Sequence, residues 1–295
     1  MAVSKSIHTS LQPNKIEVQN LPIPKPTGRQ LLVRVKAATL CHSDLGIASG
    51  AFGMGLFPVT LGHEAISVVQ ELGPDATPYG LQVGDTIGAG IWQDMCLSCI
   101  DCTSSGPEFC TKMKMLGTHR AGYFAEYALI DADTAVVVRP AGDESTEPVS
   151  DLAPTFCAGI TVWDALERAE PKMGETIAIV GLGGLGATAA QYAQALGVRV
   201  IALDVRDEQL LAAKKEGTAD EIINTAGLSL PEVQRKVAEV NGGRLVNKAI
   251  VTSGAVPAYE TGIGIVKAEG LIVAVGLTYE PVPVNIPMFV GRCAK

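Results

Sequence analysis

No stretch of these 295 residues reads as a membrane span. The most apolar region, residues 176–203, is broken by glycines and by Gln191, Gln194 and Arg199. The opening residues MAVSKSIHTSLQPNK lack the apolar core of a secretory signal. There is no basic surplus either: 23 Lys and Arg face 31 Asp and Glu, a net charge of −8. Nucleic acid and anionic membrane surfaces are therefore poor partners. Internal repeats and low-complexity tracts are absent. With 47% hydrophobic residues the chain can bury large cores, which excludes general disorder. Seven cysteines, an odd number without a secretory signal, imply a reduced, cytoplasmic protein.

Four of those cysteines are Cys96, Cys99, Cys102 and Cys110, a C-x2-C-x2-C-x7-C run within residues 92–113. That spacing can wrap four thiolates around one tetrahedral ion and suits a closed structural zinc site. Two disulfides would use the same residues, but the rest of the chain does not look secreted. An iron–sulfur cluster is a third reading, although the ferredoxin run closes with a shorter last gap and a proline.

The first half is rich in strand signals. Residues 31–37 alternate apolar and polar, and 65–72, 85–91 and 124–130 are further strand candidates, punctuated by Gly and Pro. Many short strands between turns suggest a barrel or sandwich over residues 1–150. The polar segment 140–150 marks a transition. Beyond it, apolar strands at 176–180, 198–203, 221–223, 248–252 and 271–275 alternate with helical stretches at 187–196, 208–215 and 231–240. That alternation predicts an α/β domain over 151–295, a parallel sheet with helices on both faces.

The strand at 176–180 runs into Gly181-Leu-Gly183-Gly184-Leu185-Gly186 and then a helix, and Asp204 ends the next strand. In that context G-x-G-x-x-G is a strong dinucleotide signal. Gly181 permits the tight turn, Gly183 the approach of a pyrophosphate, and Gly186 close helix–strand packing. Asp204 can accept hydrogen bonds from ribose hydroxyls and would repel a 2′-phosphate, which favours NAD over NADP. Arg206 nearby tempers that preference.

Cys41-His42-Ser43-Asp44, Gly62-His63-Glu64 and Cys157 could supply a second metal site from three separate segments, although each residue taken alone could be an ordinary core group. The set C-H-S-D, G-H-E, the four-cysteine run, C-A-G-I-T-V-W at 157–163 and G-L-G-G-L-G, in this order, resembles the zinc-containing alcohol dehydrogenases of the medium-chain dehydrogenase/reductase superfamily. The yeast and fungal branch looks most similar. The resemblance implies a GroES-like β-barrel catalytic domain followed by a Rossmann domain, two zinc ions per chain and NAD. It implies that Cys41, His63 and Cys157 hold the catalytic zinc, with Glu64 beside it as a transient ligand. Asp44 would orient His63, Ser43 would take the proton of an alcohol, and His42 would face the cofactor pyrophosphate. Gly184, Leu185 and Val275 would join the cofactor site. Phe52 and Trp92 match bulky pocket residues, while Trp163 reads as packing. Where many relatives carry a histidine three positions after the serine, this chain has Gly46, so the proton relay must end differently. Substrates would be small alcohols and the corresponding aldehydes or ketones, and a completed fold would form a homo-oligomer. Family members run further than Lys295, so the expected Rossmann sheet lacks its last strand. A zinc-free reductase of the same superfamily, or an inactive form that only binds cofactor, are the alternatives.

Overall fold

The computed structural model describes residues 3–9, 15–51, 53, 57–284 and 286–287. The chain divides into two units, 1–157 and 158–295. In the first, β1 (Val3–Thr9) and β2 (Ile16–Pro22) form an antiparallel pair. β3 (Gln30–Ala38) leads to helix α1 (His42–Ser49) and then β4 (Ala65–Leu72). β5 (Thr86–Ala89) and the short β6 (Trp92–Gln93) precede helix α2 (Ile100–Ser104). β7 (Lys114–Met115) returns to pair with β6, so these two strands are the stem of the cysteine lobe. β8 (Tyr127–Asp131) and β9 (Ala135–Arg139) complete an antiparallel sheet in the order β8-β3-β4-β5-β9. Leu31, Val33, Val69, Ile87 and Ile130 form its core. Within the stretch 124–130, extended pairing begins only at Tyr127. Tyr123 and Phe124 instead donate their N–H groups to Gly62 and Leu61, which ties this segment to the loop before His63.

The boundary at 157/158 lies later than the polarity of residues 140–150 suggests. The 3-10 segment Ser150–Phe156 packs Ala153 and Phe156 against Ile66, so it belongs to the first unit. That packing carries Cys157 into the first unit as well.

In the second unit, α3 (Ala158–Ala169) is followed by β10 (Thr176–Val180), α4 (Gly184–Ala195), β11 (Arg199–Asp204), α5 (Asp207–Lys215) and β12 (Glu221–Asn224). Then come α6 (Leu230–Val240), β13 (Val246–Val251), α7 (Val256–Ile265) and β14 (Val266–Ala274). All strand pairs are parallel, in the order β12-β11-β10-β13-β14. Alternate residues serve opposite faces. Ile177, Ile179, Val200 and Ala202 pack with Leu166, Ala189 and Leu210 of α3, α4 and α5. Ala178, Val180, Ile201 and Leu203 pack with Val233 and Tyr259 of α6 and α7. A strand buried on both faces has no polar side, which is why β10 reads as an unbroken apolar run. The chain order reverses between β10 and β13, and a doubly wound sheet opens its binding crevice at such a switch point.

Candidate functional site

The cysteine lobe is built from a tight turn, α2 and a 3-10 turn at Pro107–Phe109. Its sulfurs lie 3.4 Å (Cys99–Cys102), 3.6 Å (Cys96–Cys110) and 3.9 Å (Cys96–Cys102) apart. A disulfide needs about 2.05 Å, so these are four free thiols. Four sulfurs about 2.3 Å from one ion sit about 3.8 Å from each other, and the observed separations bracket that value. A [4Fe–4S] cluster puts each cysteine on a different iron and requires wider sulfur spacing. Backbone N–H groups of Cys96 and Cys99 point at Cys110 and Cys96 sulfurs, both at 3.3 Å. Backbone donors at Ser98 and Cys99 hold the Cys96 thiol down to about 5. Burial and the adjoining thiols push Cys102 up to about 12. A cation held among the four sulfurs would let all four ionise together.

A second cluster lies in the same unit. Donor atoms of Cys41, His63, Glu64 and Cys157 all fall within 4.8 Å of one another. Cys41 is the residue before α1, and Asp44 at the third helical position accepts the Cys41 N–H through Oδ2 at 3.0 Å, which caps the helix. The same carboxylate faces His63 Nδ1 at 3.0 Å through Oδ1 and accepts the Gly62 N–H at 3.1 Å. Asp44 therefore fixes two donors of the cluster at once. His63 is 1% exposed, and its Nε2 is buried without a hydrogen-bond partner. An orphaned imidazole nitrogen beside two thiols and a carboxylate fits a metal ligand, because burying it unpaired would otherwise cost about 1–3 kcal/mol.

The electrostatics agree. The adjoining Cys157 thiol holds Cys41 down to about 3, against the burial that would raise it. The Cys41 thiolate in turn raises Cys157. Burial opposes charge on His63, yet Asp44 and Cys41 bring it up to about 10. Burial raises Glu64 despite a hydrogen bond from Thr39. A divalent cation bound here would displace the protons that these donors hold.

The other anticipated residues fall as follows. His42 is the exposed first residue of α1, and Ser43 is half-buried beside it. Trp92 is half-buried on β6. Phe52 lies outside the described residues. Trp163 packs edge-on against Tyr192, with ring centroids 6.1 Å apart. Thr39, which sequence reasoning passed over, donates to Glu64 Oε2 at 2.6 Å.

In the second unit the glycine loop joins β10 to α4. Gly181 has φ +95°, a left-handed turn that side chains resist. A Cβ at Gly186 would lie 1.8 Å from the Gly181 carbonyl oxygen, whereas Gly183 and Gly184 have open space around them. Gly186→Ala is accordingly expected to force α4 off the sheet. NADH binding should weaken by more than about tenfold and the melting temperature should fall, since overpacking typically costs 1–3 kcal/mol. Unchanged affinity by fluorescence titration would contradict this packing role. Asp204 accepts the Leu182 N–H through Oδ2 at 2.6 Å and the Arg206 N–H through Oδ1 at 2.9 Å. It borders a cavity of about 890 Å3 with Gly181, Val205, Thr225 and Ser253. Leu185 and Val275, expected among the cofactor contacts, are both partly buried against the apolar core.

Residues 27–140 match the alcohol dehydrogenase GroES-like domain, and residues 184–294 match the zinc-binding dehydrogenase domain. An alcohol dehydrogenase of Geobacillus stearothermophilus is 36% identical over 272 residues, covering 92% of this chain and 77% of that protein. The chain belongs to the zinc-binding alcohol dehydrogenase family. Its fold agrees with solved members. The alcohol dehydrogenase of Aeropyrum pernix superposes with a TM-score of 0.87 at 26% identity, over 98% of this chain and 83% of the other. A short chain alcohol dehydrogenase from Escherichia coli CFT073 complexed with NADH gives 0.86 at 25% identity, over 100% and 82%. Membership makes this chain an oxidoreductase that uses zinc and a nicotinamide cofactor. The yeast and fungal branch is not singled out by these matches.

Proposed function

We propose that this protein interconverts small primary or secondary alcohols with aldehydes or ketones, using NAD, one zinc held by Cys41, His63 and Cys157, and a second held by Cys96, Cys99, Cys102 and Cys110. The observation that carries the reading is the meeting of two half-buried thiols with a buried, unpartnered imidazole nitrogen in one unit. Three protein ligands leave a place for substrate. When bound there, zinc supplies Lewis-acid polarisation of the alcohol or carbonyl oxygen.

The chain's own residues supply the rest. Asp44 keeps His63 in the orientation that presents Nε2 to the cluster. Ser43, two residues after Cys41, would receive the alcohol proton. Gly46, buried on α1, offers no side chain to pass it on, so the proton would have to leave by another route. The glycine loop and the N-terminus of α4 would offer backbone N–H groups to the pyrophosphate of a bound cofactor. Asp204, held by Leu182 and Arg206, has lone pairs left that would accept from the ribose hydroxyls of a bound cofactor, where its charge would disfavour a 2′-phosphate.

The test is turnover of the purified chain with a panel of primary and secondary alcohols and either NAD or NADP. The expected kcat/KM is more than about tenfold higher with NAD, equivalent to ~1.4 kcal/mol of repulsion at the ribose. Equal values would remove the role given to Asp204. No turnover in either direction with any substrate would overturn the reading.

A further inference from the structure

The catalytic cluster holds one donor more than an open site can use. Three protein ligands leave a tetrahedral ion one free place, whereas four close it. Glu64 is that fourth donor. It is 3% exposed and within 4.8 Å of the cluster's other donors. A carboxylate so placed competes with every external ligand unless something restrains it.

The restraint is a threonine just outside the strands. β3 and β4 pair antiparallel as far as Ala38 and Ala65. One residue further on, the Thr39 N–H donates to the Glu64 carbonyl at 3.1 Å. The Thr39 hydroxyl also donates to Glu64 Oε2, at 2.6 Å. Backbone and side chain thus clamp the same residue. The backbone bond fixes the spacing of the two Cα atoms, and the β-branched side chain has few rotamers in which to wander. A hydroxyl–carboxylate bond of this length is charge-assisted and among the stronger ones. It must be given up, or bent, for Oε2 to turn toward the ion.

We infer that Thr39 is a positioning residue of this site: it holds the Glu64 carboxylate back, so that the metal keeps a place for an external ligand. The inference rests on the assignment of Cys41, His63 and Cys157 as metal ligands. Thr39 touches neither substrate nor the reacting atoms. It sets the balance between Glu64 as a bystander and Glu64 as a fourth ligand. Losing the hydroxyl should shift that balance toward the closed form.

The test uses the full chain with zinc replaced by cobalt(II), titrated with imidazole and followed by the visible d–d spectrum. The four-cysteine site is closed and does not respond, so the change reports the open site. Wild type should bind imidazole with a clear spectral shift. Thr39→Val keeps the shape and removes the donor. Its Kd for imidazole should be about tenfold weaker, the fold-change corresponding to a net hydrogen bond to a charged group. Thr39→Ser should restore the wild-type Kd. Glu64→Gln supplies an independent arm: with the competing carboxylate gone, adding T39V should change the Kd no further. Cobalt content per chain, measured alongside, establishes that each variant has folded and loaded. A wild-type Kd in T39V, failure of T39S to restore it, or a further loss when T39V is added to E64Q would overturn the role of Thr39 while leaving the metal assignment standing. A wild type without a cobalt band, or without any imidazole response, would overturn the metal assignment and this inference with it.

Discussion

Replacing Cys110 by serine is expected to lower the zinc content from two ions per chain to one and to unfold the lobe. Cys110 is 1% exposed, and its sulfur accepts the Cys96 and Lys112 N–H groups at 3.3 and 3.4 Å. A serine oxygen is shorter, harder and not ionised at neutral pH, so it replaces neither the ligand nor these contacts. The lobe has little else to hold it. Leu97, Ile100 and Phe109 are exposed, and α2 is only five residues long. Structural zinc contributes about 10–16 kcal/mol to folding in finger peptides, which far exceeds what such a segment can bury.

The damage should stop at the stem. Asp131, buried on β8, accepts the Asp94 N–H at 2.7 Å and Arg120 at 2.9 Å, and its own N–H reaches Gln93 at 2.6 Å. Arg29 adds a bond to the Met95 carbonyl at 2.6 Å. Hydrogen exchange should therefore rise across residues 96–113 and stay slow in β8. The melting temperature should drop by at least about 5 °C, given about 2–4 °C per kcal/mol for a unit of this size. Equal zinc by atomic absorption in variant and wild type would show that the lobe does not hold an ion.

Asp44→Asn should weaken metal retention and turnover together, by about 10–100-fold. The carboxylate is fully enclosed and serves three donors: Cys41 N–H on one oxygen, Gly62 N–H and the His63 ring on the other. An amide has one acceptor oxygen. Whichever way it is turned, its NH2 group faces at least one buried N–H. Each donor left unsatisfied there costs about 1–3 kcal/mol. The imidazole would also lose the negative partner that fixes its orientation. Competition with a chromogenic chelator measures the zinc affinity, and kcat/KM measures the reaction. Wild-type values for both would mean that Asp44 merely caps α1.

How much of this was legible in the sequence depended on whether a constraint was local. The strands of the second unit stood out because a strand covered on both faces carries an unbroken apolar run, as in β10 and β11. The glycine loop was legible for the same kind of reason: the turn at Gly181 and the close approach at Gly186 act within a few residues. Helix α7 was not. It opens Val-Pro and contains Gly262 and Gly264, a helix-poor sequence that persists because Tyr259 and Ile265 pack beneath the sheet. Helix α1 was hidden too, since its stability comes from the Asp44 cap and from burial of Ile47 and Ala48 rather than from a periodic pattern. The unit boundary was displaced because polarity at 140–150 reports solvent exposure, while membership of a unit is decided by where Phe156 packs.

By itself the sequence determined the two-part organisation, the four-cysteine run and the dinucleotide loop, because each is written in spacing along the chain. Only the tertiary structure decided that Cys41, His63, Glu64 and Cys157 come together within one unit, that Asp44 serves both a helix cap and the His63 ring, and that Thr39 bonds to Glu64. Those relations join segments far apart in the chain. They exist only after the β3–β4 pairing and the packing of Phe156 on Ile66 have brought the segments together, and no local pattern encodes a distance set by that packing.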